Sequence, residues 1–177
     1  FPSPTTQIRM EYAAYNIDGS AVFIRTAASF RQGAQTLPRP YYTSNGIFVA
    51  EQDAIFGRAW SCVGRSSRLR EPGDYLVRTI ASESIIVVCG RDRVIRAFFN
   101  VCRHRGTRLC TNETGRFDDV IRCPYHAWTY AIEGELMGAP HMHDVDGFNR
   151  GDYPLHAAAV AESGGFVFVN VSAAPSP

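Results

Sequence analysis

The chain has 177 residues, of which 45% are hydrophobic and 20% charged, with a formal net charge of +1; this suits one globular domain with flanking segments. So small a charge excludes bulk nucleic-acid binding, and no apolar run approaches the ~20 residues of a membrane span. All 18 basic residues are Arg, which reads as compositional bias more than as selection for bidentate docking.

The chain opens on Phe1 and not on Met, as a fragment or a processed product would, and its first residues do not show the charged-then-apolar pattern of a signal sequence. Residues 1–36 mix Ser, Thr, Gly and Ala without periodicity and read as an extension, expected to be poorly ordered. Ser44 to Trp60 reads as a short helix, with Phe48 and Ile55 seven apart and Glu51, Gln52 and Asp53 on the wet side. Pro72-Gly73 marks a turn. Strands are predicted at Tyr75–Ile80, Ile85–Cys89 and Val94–Phe99, the last two joined by a hairpin at Gly90-Arg91-Asp92. The β-branched run Ile85 to Val88 is expected to be buried on both faces. Val120–Arg122 and Trp128–Ala131 read as strand ends around a loop, Gly134 as a further turn, and Gly165–Val171 as a final strand. Short strands at close spacing predict an all-β fold, an antiparallel β-sandwich over residues 37–171 with a short N-terminal helix. Residues 172–177 have the composition of a linker-like tail.

Two short boxes carry the chemistry: Cys102-Arg103-His104 and Cys123-Pro124-Tyr125-His126. They offer two thiolates and two imidazoles, the ligand set of a Rieske [2Fe–2S] centre, in which one iron takes two Cys and the other two His. Eighteen residues, Arg105 to Arg122, separate the boxes, enough for one loop to return and face the other. Gly106 and Pro124 suit tight ligand turns. Zinc is the competing metal, but zinc fingers usually pair Cys with Cys and His with His within a box, and here each box is mixed. Cys62, Cys89 and Cys110 remain, in or beside apolar runs where small buried thiols are common. Their odd number argues against a closed disulfide framework and for a reducing, cytoplasmic setting.

The boxes, written out as Cys102-Arg103-His104-Arg105-Gly106 and Cys123-Pro124-Tyr125-His126-Ala127-Trp128-Thr129-Tyr130, resemble those of Rieske non-heme iron oxygenase large subunits. The likeness extends to Leu37-Pro38, Tyr41-Tyr42, Ile55-Phe56 through Trp60, Glu71 to Tyr75, Phe99-Asn100-Val101 and Gly134 through Pro140. Ala127 stands where the commonest family form has Gly, a departure expected to leave ligation undisturbed. The respiratory Rieske proteins resemble the chain less. Cys110 could be one partner of their loop-tying disulfide, but the second box has no extra Cys, and Ala127-Trp128 replace their Gly and Ser. Fewer donors to the sulfurs imply a potential on the order of −150 mV, low in the Rieske range.

The resemblance implies a Rieske [2Fe–2S] cofactor, with a mononuclear Fe(II) only if a C-terminal catalytic domain exists beyond Val171. It implies electrons from an NAD(P)H-dependent reductase, a ferredoxin or both, O₂-dependent hydroxylation of an aromatic or quaternary-ammonium substrate, and a homotrimer formed through that domain. The alternative is a stand-alone Rieske-type ferredoxin; against it stands the oxygenase-like stretch Leu37 to Trp60. Arg103 and Arg105 either guide an acidic redox partner or form salt bridges to Glu113, Asp118 or Asp119. Tyr125 and Trp128 are expected to cover the cluster and exclude water. His141, His143 and Asp144 mimic a facial triad, but two His two apart on an extended segment point to opposite faces. His156 reads as a satisfied structural residue.

Overall fold

The computed structural model describes residues 36–175; the expected extension, apart from Thr36, and the last two residues of the tail lie outside the described residues. The chain divides into two units, Phe1–Tyr42 and Thr43–Pro177. A single helical turn, α1 (Pro40–Thr43), spans the division.

The second unit is organised around a strand whose two faces are both apolar. In β3 (Glu83–Cys89), Ile85, Ile86, Val87 and Val88 are fully buried, as the run of β-branched residues predicts. Alternation sends Ile86 and Val88 into one core cluster and Ile85, Val87 and Cys89 into the other. Each such side chain contributes on the order of 1.5–3 kcal/mol of burial. On either side of β3 lie β2 (Asp74–Ile80) and β4 (Ile95–Phe99), both antiparallel to it.

These belong to a seven-stranded sheet that also contains β1 (Ser61–Arg65), β5 (Thr114–Arg116), β9 (Ala157–Ser163) and β10 (Phe166–Asn170), in the order β1-β10-β9-β4-β3-β2-β5. A separate three-stranded sheet holds β6 (Val120–Arg122), β7 (Thr129–Ala131) and β8 (Leu136–Gly138). All pairings are antiparallel, so the expected all-β class holds. β1, β5, β8 and β9 escaped the sequence reading: they are short or Ala-, Ser- and Gly-rich, with little periodicity to detect. The small sheet covers the face of the large one that carries Tyr75, Ile86, Val88 and Phe98. Gly134 makes this possible. Its φ is +105°, and a Cβ there would lie 2.6 Å from the Phe98 ring, so only glycine can turn β7 back onto the core.

The expected helix is present, but its apolar side is not buried. Ser44 caps α2 (Asn45–Glu51) by accepting from the Ile47 N–H, and a π-helical turn, Gln52–Phe56, continues it. Phe48 and Ile55 are about half exposed, whereas Glu51 and Gln52 are the more sheltered. A seven-residue spacing identifies one helix face but cannot say whether that face meets the domain's own core. No helix among the described residues is long and apolar enough to cross a membrane.

Candidate metal centre

Both boxes lie on loops that enter the core cluster shared by the two sheets. Cys102, Cys123 and Trp128 are among its buried members. The second box spans the turn between β6 and β7, closed by the pair Arg122 and Thr129. The first follows β4 and has no strand on its far side. It is closed instead by Asn100, which is almost fully buried. The Asn100 amide accepts from the N–H groups of Leu109 (3.0 Å) and Cys110 (2.9 Å), and donates to the Cys110 carbonyl (2.6 Å) and the Ser84 hydroxyl (3.1 Å). All four of its hydrogen-bonding positions are filled.

Within the loops, one backbone plan is used twice. The Cys102 N–H donates to the Thr107 carbonyl (2.8 Å) and the Gly106 N–H returns to the Cys102 carbonyl (2.9 Å). In the second loop the Cys123 N–H donates to the Trp128 carbonyl (2.8 Å) and the Ala127 N–H returns to the Cys123 carbonyl (3.1 Å). Four residues after each Cys the backbone is left-handed, with φ +71° at Gly106 and +56° at Ala127. Ala127 thus occupies a position that favours glycine, and the departure noted in the sequence carries a backbone cost.

The two imidazoles of the boxes meet each other, and so do the two thiols. The His104 and His126 rings stand edge to face with centroids 4.8 Å apart. Burial pushes the Cys102 thiol up, hydrogen bonds from the Tyr130 hydroxyl and the His104 backbone lower it, and a hydrogen bond with the neighbouring Cys123 thiol raises it again. No disulfide joins them; all five cysteines are free. Burial, then the nearby His126 and Arg105, hold His104 below its ordinary value, which keeps its imidazole neutral and available as a ligand. His104 Nδ1 is buried without a hydrogen-bond partner, which is costly for an imidazole nitrogen unless another group takes its lone pair or proton.

These residues fit a binuclear iron–sulfur cluster in chemistry and in number. Soft thiols come from two loops, two imidazoles sit beside each other, and a ring nitrogen lacks a protein partner.

The surroundings correct several sequence readings. Trp128 stacks on His104, with centroids 4.8 Å apart and planes 8° apart, and is 2% exposed. Phe148 and Tyr153 close over its other edges. Tyr125 does lie on His126, at 3.7 Å, but its own ring is 62% exposed, so it marks the surface and does not seal it. Arg103 forms none of the salt bridges considered for it. Its guanidinium donates to the Pro154 carbonyl (2.9 Å) and lies over the Tyr153 ring, while Asp119 pairs with Arg91. Arg105 and Gly106 are exposed. Cys62 is exposed, unlike buried Cys89 and Cys110, and the His156 side chain is exposed. His143 bonds the adjacent Asp144 at 2.9 Å.

Tyr130 was missed by the sequence reading. Its fully buried hydroxyl lies 3.3 Å from Cys102 Sγ and accepts from the Arg103 N–H at 3.0 Å. Burial pushes its phenol far above the usual value, so the hydroxyl stays protonated and able to donate. The signal was there: Trp128 and Tyr130 alternate with Thr129 toward the core, and a buried Tyr hydroxyl must find a partner.

An antiparallel β domain with paired Cys/His loops has the architecture of the iron–sulfur proteins. The Rieske [2Fe-2S] domain family model matches residues 59–149, and the chain belongs to that family. It is similar to the carnitine monooxygenase oxygenase subunit of Acinetobacter baumannii (41% identity over 138 residues, 78% of this chain and 37% of the relative). It is likewise similar to the glycine betaine monooxygenase oxygenase subunit of Chromohalobacter salexigens (41% identity, 82% of this chain and 32% of the relative). Among solved structures it resembles the quaternary ammonium Rieske monooxygenase CntA in complex with L-carnitine (TM-score 0.75, 39% identity, 80% of this chain and 40% of that one). Naphthalene 1,2-dioxygenase from Rhodococcus sp. is also similar (TM-score 0.74, 32% identity, 79% and 32%). The chain therefore spans about a third of the length of these curated relatives.

Proposed function

We propose that residues 37–171 form the electron-accepting module of a cytoplasmic Rieske oxygenase component, with Cys102 and Cys123 on one iron and His104 and His126 on the other. The cluster supplies reversible one-electron storage. The chain's own residues supply the rest. The two loops hold two thiols and two imidazoles, Tyr130 hydrogen-bonds Cys102, and Trp128 excludes water from His104 and fixes its ring. The buried, partnerless His104 Nδ1 beside His126, with two unlinked thiols in the same core, is the observation that carries this reading.

The relatives' names extend it. The whole protein would hydroxylate a quaternary ammonium compound with O₂, at a mononuclear iron in a catalytic domain of the kind that fills the relatives' remaining length. A reductase, with or without a ferredoxin, would be the source of electrons. The test is reconstitution of the chain with iron and sulfide under reducing, anaerobic conditions. Equal iron and acid-labile sulfide, with a reducible visible chromophore, is the expected result. A colourless protein that binds zinc and no sulfide would overturn it.

A further inference from the structure

Trp128 shields His104, yet it has no polar anchor of its own. Its indole Nε1 is buried without a hydrogen-bond partner, so packing alone holds the ring against the imidazole. Two of the rings that pack on it, Phe148 and Tyr153, stand edge to face with it, each with centroids 5.8 Å away. Both come from the segment between β8 and β9, residues 139–156, which makes no strand and contains a single 3₁₀ turn, Arg150–Asp152. Apart from these two rings, residues 143–154 are exposed. A segment with so little buried surface and no ladder needs other fastenings to hold a ring in place.

Some fastenings tie it to the β7–β8 hairpin. The Leu155 N–H donates to the Gly134 carbonyl (2.8 Å), and the Arg150 guanidinium donates to the Met137 carbonyl (2.6 Å). The contact that reaches the Tyr153 ring itself comes from the first box. The Arg103 guanidinium donates to the Pro154 carbonyl (2.9 Å) and lies over the Tyr153 ring, 5.7 Å from its centroid. One planar group thus holds both the ring and the peptide that follows it. Contacts then run from Arg103 to Tyr153, from Tyr153 to Trp128, and from Trp128 to His104, the residue next to Arg103.

Resting on the metal-centre reading above, we propose that Arg103 is a positioning residue for His104: its guanidinium clamps Tyr153 onto Trp128, which keeps the indole stacked on the imidazole and water away from it. Reduction adds negative charge at the site, and water stabilises the more charged state, so an opened clamp raises the potential. Were Arg103 to supply charge alone, Lys would replace it without effect. Lys does not replace the clamp, because an ammonium has no planar fork to lie on a ring while it donates beside it.

The test compares Arg103→Lys, Tyr153→Leu and Tyr153→Phe in the full chain reconstituted with iron and sulfide. Iron and acid-labile sulfide are measured first. An unmutated chain without a cluster overturns the metal-centre reading and the clamp with it, whereas a loaded chain tests the clamp alone. Each loaded chain is titrated at one fixed pH, and its reduced state is examined by pulsed EPR after exchange into D₂O, which reads deuterons close to the cluster. Arg103→Lys and Tyr153→Leu should each deepen the deuterium signal at least about twofold. Each should also favour reduction by roughly threefold, a potential higher by about 30 mV at ~59 mV per tenfold. Tyr153→Phe keeps the ring and should match the unmutated chain. Because the two residues form one clamp, Arg103→Lys/Tyr153→Leu should go no further than the larger single effect. Arg103→Lys with unmutated potential and deuterium signal would overturn the proposal, as would a double variant whose two effects add in full. If Arg103→Lys assembles no cluster, Tyr153→Leu decides, since it leaves the box intact: an unchanged potential and deuterium signal there overturn the clamp equally.

Discussion

The loop after Cys102 and the loop after Cys123 share their internal hydrogen bonds and differ in what holds their ends. The second is a hairpin turn, and the β6–β7 ladder closes it directly at Arg122 and Thr129. The first leaves β4 and meets no strand before β5, so the Asn100 amide takes the part of a neighbouring peptide group. It accepts from two N–H groups of the returning segment and donates to a carbonyl of that segment. One loop is thus secured by backbone that many sequences could provide, the other by a single side chain. The first loop also receives the only hydroxyl found at a candidate ligand sulfur among the described residues, that of Tyr130.

The largest expected effect treats the loops as equals. Cys102→Ala and Cys123→Ala should each abolish cluster assembly, read as loss of visible absorbance and acid-labile sulfide. A variant that keeps its cluster would remove that cysteine from the ligand set. The next effect separates them. Asn100→Leu leaves the Leu109 and Cys110 N–H groups and the Cys110 carbonyl buried without partners, and should cost about 3 kcal/mol. The corresponding trim of the second loop is Thr129→Ala, which removes a more exposed bond to the Ala127 carbonyl (2.9 Å) and should cost less than about 1 kcal/mol. Denaturant midpoints followed by cluster bleaching would show whether the two costs differ as stated.

Tyr130→Phe gives a smaller effect with a different readout. Losing a donor of about 1 kcal/mol to the Cys102 sulfur corresponds to a one-electron potential lower by on the order of 40 mV. Tyr125→Phe, whose hydroxyl has no bond among the described residues, should leave the potential in place. Redox titration of both variants checks the contrast. The Tyr130 hydroxyl also qualifies the expectation that donors to the sulfurs are few: at least one is present, so a potential somewhat above the lowest Rieske values is expected.

The residue types and spacing of the boxes made the four candidate ligands legible in the sequence, because mixed Cys/His pairs fit few chemistries. The central strands were equally plain, because Ile85 to Val88 admit little besides a doubly buried strand. What stayed hidden depends on distant contacts. Nothing local to Arg103 announces the Pro154 carbonyl 51 positions away, and nothing in Phe48 or Ile55 announces that α2 keeps its apolar side out of the core. The weak strands β5, β8 and β9 exist because stronger neighbours pair with them, which their own sequences do not record.

The finest distinction between the loops is the residue at the left-handed position. Gly106 has φ +71°, and a Cβ built there meets nothing within 4 Å, so Gly106→Ala is a purely backbone perturbation. Holding an L-residue in this region costs roughly 1–2 kcal/mol, partly offset by the lower entropy of the unfolded Ala chain. Gly106→Ala should therefore destabilise by about 0.5–1 kcal/mol, and Ala127→Gly should stabilise by a similar amount by relieving the cost already present at φ +56°. The double exchange should return close to the original stability, since no side-chain contact is gained or lost at Gly106. Urea midpoints for the three variants decide the matter. A neutral Ala127→Gly would mean that the hairpin ladder on either side enforces the turn so strongly that its strain never reaches the folding equilibrium, and a destabilising one would mean that the Ala127 methyl packs against the loop.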